Sequence, residues 1–402
     1  MNLQPDFEFI KYLKSAGGDT MKKCYQCATC STVCPLSTDD SPFPRKEMIW
    51  AQWGLKDKLI GDPDVLLCHQ CGDCTAYCPR GAKPGDLLGA VRAYTYTKLG
   101  WPAGLAKLTS SAKNLPMLIG IPAGIIFVLW LISGGLHIPS SAEFAKNGYG
   151  HFFGHWNFGL LAKNVFFIDL IFLAAAGIAA YSCYKGVIAL WEKMESTTDV
   201  DPNYRPSATQ IIKEFLWPVV VETVNHDRFK KCKANANRLT GHLPLLLSFI
   251  ALAFVTTYSA FTQDVLSLIP GVNLHGPISM WNPVKLLANV AAVALLFGIV
   301  TLWDNRNKLE AEGNASKTFY DWFLIWEIAA VGITGLLAEL LRLVGIASLG
   351  YLVYYLHLVA VMMLFLYMPY TKFAHLVYRT AAMTFERYRE SSYVKNPLAE
   401  EE

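Results

Sequence analysis

The sequence predicts a mainly α-helical protein: a small cysteine-rich helical domain fused to a bundle of six membrane-crossing helices. Three observations carry that expectation. Eight of the ten cysteines repeat one spacing near the N-terminus. Hydrophobic residues make up 53% of the 402 positions and charged residues 17%, a membrane-leaning balance. The apolar excess is concentrated from Leu115 onward, in six runs long enough for a bilayer core of ~30 Å, which takes about 20 residues.

The cysteines come first. One run reads Cys24-Tyr-Gln-Cys27-Ala-Thr-Cys30-Ser-Thr-Val-Cys34-Pro35, and a second reads Cys68-His-Gln-Cys71-Gly-Asp-Cys74-Thr-Ala-Tyr-Cys78-Pro79. This is C-x2-C-x2-C-x3-C-P twice, the ligand run of a protein holding two [4Fe–4S] cubanes, in which the fourth cysteine serves the other cluster. Cluster one is expected on Cys24, Cys27, Cys30 and Cys78, and cluster two on Cys68, Cys71, Cys74 and Cys34. Zinc would need only C-x2-C pairs, leaving the third cysteine and the Cys-Pro unexplained. Disulfides would suit an extracellular domain, and no cleavable signal peptide is expected ahead of the motifs. The chemistry expected is one-electron transfer. Cys183 and Cys232 are isolated and read as idle or buried thiols. His69, between cluster cysteines, is expected to tune a cluster by hydrogen bonding.

The stretch between the motifs is too long for a short-linked β-type ferredoxin. Arg45–Leu55 has helical spacing of Met48, Ile49, Ala51 and Leu55, with Gly54 or Gly61 to end the helix. Residues 1–90 therefore read as a helical ferredoxin domain and 91–114 as an amphipathic connection on the membrane surface. Residues 115–380 read as the membrane domain and 381–402 as a tail.

The six spans are expected at 115–138, 164–190, 243–266, 284–303, 320–343 and 350–371. Lys and Arg crowd the connections at 191–242 and 304–319 and the C-terminal tail, whereas 267–281 and 344–350 have none. By the positive-inside rule both termini face the cytoplasm, in the inner membrane. The net charge of +3 and the lack of a long basic run argue against nucleic acid. No G-x-G-x-x-G follows an apolar strand, so no flavin or nucleotide is expected by that route.

The nine histidines are unevenly placed. His357 and His375, 18 residues apart, would share one face of a continuous sixth helix, about 27 Å apart along it. Ligand-type residues at such depths are usually functional, and two stacked b-type haems with bis-histidine ligation would use them. His242 is the first choice to pair with His375, and His226 the second. For His357 the candidates are His155, then His151, His137 or His275. Asp169, Glu339 and Arg342 fall in the outer half. They read either as an ion pair, Glu339 with Arg342, or as a quinone site with a proton-accepting carboxylate. Glu327 would serve an inner alternative.

These residues together resemble a known family. The first 110 are similar to the iron–sulfur C subunit of heterodisulfide reductase. The remainder, through His226-Asp-Arg-Phe-Lys-Lys-Cys232, Arg238, His242 and the His357/His375 pair, is similar to that enzyme's haem b membrane subunit and to the gamma subunit of respiratory nitrate reductase. The fusion resembles the membrane subunits of quinone-interacting membrane-bound oxidoreductases of sulfate reducers. The resemblance implies menaquinone as the membrane carrier. It also implies flavoprotein partners related to the A subunit of heterodisulfide reductase, and electron exchange with adenylylsulfate reductase. Rival readings are a heterodisulfide- or hydroxy-acid dehydrogenase-linked module with the same chemistry, and a membrane-anchored iron–sulfur sensor without turnover.

Overall fold

The computed structural model describes residues 4–134, 136–138, 140–142, 167–228, 238–266, 269, 272 and 278–394. His151, His155, His275 and Cys232 lie outside them. Regular structure among the described residues is entirely helical.

The N-terminal part is built from short helices whose ends the sequence marks. Helix α1 (Phe7–Ser15) starts where the Asp6 carboxylate accepts from the Phe9 N–H, and it buries Phe9 and Leu13 one turn apart. After α2 (Thr29–Thr32), α3 (Arg45–Gln52) buries Met48 and Ala51, and the chain turns at Gly54 with φ +68°. There a Cβ would meet Asp6 backbone at 2.9 Å. Helices α4 (Lys56–Gly61), α5 (Pro63–Leu67) and α6 (Asp73–Ala76) follow. Helix α5 is opened by the Asp62 cap and by Pro63, whose ring suits a first helical turn. Helix α7 (Pro84–Leu99) then threads the domain, with Leu87, Leu88, Ala90 and Val91 in its core.

Among the described residues, six helices are long and apolar enough to cross a membrane. They are α9 (Leu115–Gly134), which follows the short α8 (Ala103–Leu108), then α10 (Phe167–Thr197), α12 (Arg238–Ala260), α13 (Pro283–Ala311), α14 (Phe319–Val344) and α15 (Ala347–Tyr367). Helix α11 (Trp217–Asn225) lies between the second and third. Large side chains on their outer faces, among them Leu173, Val290, Val300 and Val344, are 64–70% exposed, as lipid-facing residues are. Inside, Leu118, Ile126, Ile168, Tyr351, Leu358 and Met362 bind the first, second and sixth spans. Helices α12 and α13 approach so closely at Gly241 and Gly298 that a Cβ on Gly298 would lie 2.7 Å from the Gly241 carbonyl oxygen. Small residues are how membrane helices bring their backbones together.

Two expectations are corrected. The sixth span does not run on to His375. Helix α15 ends at Tyr367, a turn follows, and a new helix, α16 (His375–Val394), begins at the histidine. The turn is held from outside: the Tyr370 hydroxyl donates to the Trp101 carbonyl at 2.6 Å, and Lys372 Nζ reaches Asp321 at 2.5 Å. His357 and His375 therefore do not share a helix face. Nor do residues 91–99 form a surface connection. Val91, Arg92, Thr95 and Tyr96 of α7 are buried, and Tyr96 stacks on Tyr378 of α16 with ring centroids 4.8 Å apart. The boundaries expected at 90/91 and 380/381 both fall inside continuous helices.

The two parts are joined through α10 and α16. At the end of α10, Thr197 donates to the Gly61 carbonyl at 2.6 Å and Lys193 pairs with Asp57 at 3.3 Å. Leu190, Met194, Tyr378, Ala382 and Phe385 pack with Leu66 and Leu67 of α5 in one buried cluster. Gly298→Ala is expected to destabilise the bundle by about 1–3 kcal/mol, because a packed backbone contact cannot absorb a methyl group. Gly177, which faces open space, is the control. Thermal unfolding in detergent should separate Gly298→Ala from Gly177→Ala; equal midpoints would count against the close α12–α13 approach.

Candidate functional site

The duplicated cysteine runs fold as duplicated loops. Gln26 and Gln70 both have positive φ, +60° and +50°, and so do Ala28 and Gly72, +67° and +89°. Each of the latter two starts a one-turn helix that carries the third cysteine, Cys30 on α2 and Cys74 on α6. Gly72 suits that conformation without strain, whereas Ala28 carries a Cβ into it.

Cys34, from the end of the first run, sits with the second. A small cavity is lined by Cys34, Cys68, Cys71 and Cys74 together with Phe43, Pro44 and Gly85. Burial pushes the Cys34 thiol up to about 12, and the neighbouring Cys68 and Cys71 add to the rise. Cys74 is raised by burial and by Cys68, Cys71, Cys34 and, across the pair, Cys30. In the first loop, burial pushes Cys30 up to about 11, with Cys24 and Cys27 beside it. Cys27 is exposed, and the Thr29 hydroxyl, 3.5 Å away, holds its thiol down. Cys78 packs in the same core as Cys24, Cys34 and Cys68, and Arg80 stacks over the Tyr25 ring at 4.2 Å, bringing the end of the second run to the first. The thiols raised by burial are held protonated near neutral pH, so metal binding would release protons.

Next to the second loop lies a cavity of about 560 Å3. Cys68, His69 and Gln70 form part of its wall. His226, His242 and His375 line it on the membrane side, above an apolar floor of Leu245, Phe249, Ile328 and Phe365. The imidazoles are ordered by their partners. His226 Nδ1 lies 3.0 Å from the Val224 carbonyl, which can only accept, so that nitrogen carries the proton. His226 Nε2 is then the acceptor for His242 Nδ1 at 2.8 Å. His375 Nδ1 donates in the same way to the Lys372 carbonyl at 2.6 Å. In both His242 and His375 the lone pair therefore sits on Nε2. Their ring centroids are 6.2 Å apart, a separation that fits one metal between two ring nitrogens at about 2 Å each, the usual metal–imidazole distance.

The cavity's polar rim is cationic. Arg92, Arg228, Arg238, Arg306, Lys372 and Arg379 all contribute to its lining. Asp321 anchors two of them, Arg306 at 2.9 Å and Lys372 at 2.5 Å. Burial lowers Arg379 to about 10, still charged at neutral pH.

The other sequence candidates are dispersed. His357, on α15, lies 3.1 Å from the Thr334 hydroxyl of α14, and Gly335 leaves room for its ring, since a Cβ there would lie 3.0 Å from Cε1. Of its expected partners, His151, His155 and His275 lie outside the described residues, and His137 is exposed. Glu339 is paired, but not with Arg342: its partner is Lys285 of α13, at 2.7 Å. A neighbouring helix supplies a better-placed cation than the same helix does. Asp169 opens α10, and Glu327 is buried in α14, next in sequence to Ile328 of the cavity floor. Sequence reasoning named Arg228 and Arg238 within a resemblance and did not bring the rim arginines together. Arg92, Arg238 and Arg379 come from three distant helices and share no spacing.

Residues 20–82 match the family model described as a 4Fe-4S dicluster domain. This chain has a two-cluster iron–sulfur domain. Two curated relatives match a short stretch of the chain. They are the C subunits of the H(2):CoB-CoM heterodisulfide,ferredoxin reductases of Methanothermobacter thermautotrophicus and Methanothermobacter marburgensis. Each is 44% identical over 59 residues, which is 14% of this chain and 31% of the relative. The chain thus spans under a third of the length of the curated relatives it matches. No solved structure matches it significantly. A stretch that matches a 4Fe-4S dicluster domain thus stands beside six helices that are, among the described residues, long and apolar enough to cross a membrane.

Asp321→Asn would leave Arg306 and Lys372 buried without their shared anion. The expected cost is about 3 kcal/mol, the lower end for a broken buried pair, because Lys372 keeps some access to solvent. A lower unfolding midpoint in detergent would report it; an unchanged midpoint would show that the turn before His375 does not depend on this network.

Proposed function

We propose that the chain is a membrane electron-transfer subunit. It passes single electrons between menaquinone or menaquinol and cytoplasmic flavin- and iron–sulfur-containing partners, through two [4Fe–4S] clusters and two haems b. The observation that carries this reading is the shared cavity. The ligand loop Cys68–Gln70 and the imidazoles of His242 and His375 line the same space, so a cluster and a membrane-embedded group would be immediate neighbours.

The residues fit both kinds of group. Cys24, Cys27, Cys30 and Cys78 would hold one cubane, and Cys34, Cys68, Cys71 and Cys74 the other. The cavity suits a haem: an apolar floor for the macrocycle, a cationic rim for its carboxylates, and two histidines whose Nε2 atoms bear lone pairs. His242 and His375 would hold it, and such a haem would supply a reversible one-electron carrier. His226, which orients His242 through Nδ1, has the role of a supporting residue that fixes a ligand's tautomer. His357 would serve a second haem with a histidine of the outer connections, His155 by preference.

Orientation follows the Lys/Arg bias, with the dicluster domain in the cytoplasm and the six spans in the inner membrane. The quinone site is assigned to the outer half near Asp169, Glu339 and Arg342. In that half Glu339 is paired with Lys285 of α13. On the soluble side the partners would be flavoproteins related to the A subunit of heterodisulfide reductase, leading to adenylylsulfate reductase. A second reading keeps the wire and changes its terminus to a heterodisulfide, and the names of the matching relatives favour it. Co-purifying proteins decide between the two.

Three outcomes test the reading. Purified protein should contain eight irons as two cubanes plus b-type haem, seen in metal analysis, low-temperature electron paramagnetic resonance (EPR) and reduced-minus-oxidised spectra; zinc at the cysteines would end it. Cys34→Ser should damage the cluster of the second motif and Cys78→Ser that of the first, and the reverse result would refute the crossed ligation. His242→Ala and His375→Ala should each abolish the same haem. His226→Ala should instead weaken its retention, by about 10–100-fold, as loss of a ligand's supporting partner does. Retention of that haem in His242→Ala would overturn the axial pair.

A further inference from the structure

The two cysteine loops share a backbone conformation but not an electrostatic environment. In the first loop, the Cys24 carbonyl accepts from the Gln52 side-chain amide, a neutral donor, at 3.3 Å, and Gln26 Nε2 lies 3.5 Å from Cys24 Sγ. In the second loop, the equivalent Cys68 carbonyl accepts from Arg379 Nη1 at 2.8 Å. The next two carbonyls are held by one guanidinium, with Arg238 Nη2 on His69 at 2.7 Å and Nη1 on Gln70 at 3.0 Å. Arg92 Nη1 donates to the Val65 carbonyl at 2.9 Å, just upstream. Three guanidiniums from α7, α12 and α16 thus hold four carbonyls of one short segment, whereas the guanidiniums at the first loop, Arg45 on the Gln26 side-chain oxygen at 3.3 Å and Arg80 over the Tyr25 ring at 4.2 Å, reach side chains rather than its backbone carbonyls.

The physical consequence runs through the peptide units. With their carbonyls held outward, the N–H groups are turned toward the sulfurs, as Gln70 N–H is toward Cys68 Sγ at 3.3 Å. Cluster potentials are set by net charge, hydrogen bonds to sulfur and solvent exposure. Reduction adds one electron and makes the cluster more negative. Cations behind polarised peptides therefore stabilise the reduced form, and the low local dielectric strengthens the effect.

We propose that Arg92, Arg238 and Arg379 are positioning residues for the second cluster: they dock its ligand loop on the wall of the histidine cavity and raise its reduction potential, making it the membrane-side member of the pair. The first cluster, with Cys27 at the surface, is then the member that meets the soluble partner. Electrons cross one at a time in the order cavity, second cluster, first cluster, partner, or the reverse. This rests on the two-cluster reading given above, and it does not depend on the group in the cavity being haem.

The test is an EPR-monitored redox titration of the full-length chain in detergent. Arg379→Gln and Arg238→Gln are each expected to favour the oxidised form of one cluster about tenfold at fixed potential, a midpoint lower by about 59 mV for one electron, while the other cluster stays put. Gln52→Met, which removes the neutral donor on the first loop, marks the signal that should not move. Arg379→Lys keeps the charge and should recover at least half of the shift. The proposal is overturned if neither signal moves, if both move together, if the moving signal is the one Gln52→Met affects, or if the lysine variant is as low as the glutamine variant. Loss of both clusters together in Arg379→Gln and Arg238→Gln would also overturn it, since the guanidiniums touch only the second loop. A wild-type preparation with fewer than two cubanes would instead refute the underlying two-cluster reading.

Discussion

A cysteine loop that wraps a metal cluster has to turn its thiols and N–H groups inward, and its carbonyls therefore face out. At the surface, water satisfies those carbonyls. In this protein the second loop is buried against the membrane helices, so its carbonyls need donors from the protein. Arg379, Arg238 and Arg92 supply them. The demand of a few backbone oxygens thus ties α7, α12 and α16 to one place. It also explains why α16 packs beneath the cysteine domain with Tyr378 and Phe385 rather than trailing off as a tail.

The break between α15 and α16 belongs to the same construction. A continuous helix would have carried His375 onward along the axis of His357. The turn after Tyr367 redirects the chain, and it is held by Lys372 on Asp321 and Tyr370 on the Trp101 carbonyl. His375 is thereby brought to within 6.2 Å, ring to ring, of His242, which opens a different span. The carbonyl of Lys372 also fixes the tautomer of His375. One lysine therefore serves the turn through its side chain and the imidazole through its backbone.

Much of this was legible beforehand. The cysteine spacing, the six apolar runs and the helix-ending role of Gly54 are local properties, and they reappear as the twin loops, the spans and the turn after α3. His242 and His375 were expected at one membrane face, and their rings lie 6.2 Å apart, although the turn after Tyr367 rather than a continuous helix brings His375 there. The Glu339–Lys285 pair was not legible, because helical spacing offers only partners on the same helix, and the nearer cation came from α13. The burial of Val91, Arg92 and Tyr96 was also invisible, since α7 is covered on two sides and so shows no clear amphipathic face.

Sequence by itself determined the composition of the machinery: two four-cysteine runs, a handful of histidines, and apolar helices of bilayer length. These are encoded in spacing and hydrophobicity, which act over a few turns of chain. Tertiary structure alone decided how the parts face one another. It put His226 behind His242, and it set three arginines on the backbone carbonyls of one loop while a glutamine holds those of the other. Such contacts join residues up to 311 positions apart, as Arg379 and Cys68 are. They arise from packing and from the need to satisfy buried polar groups, neither of which leaves a periodic mark in the sequence.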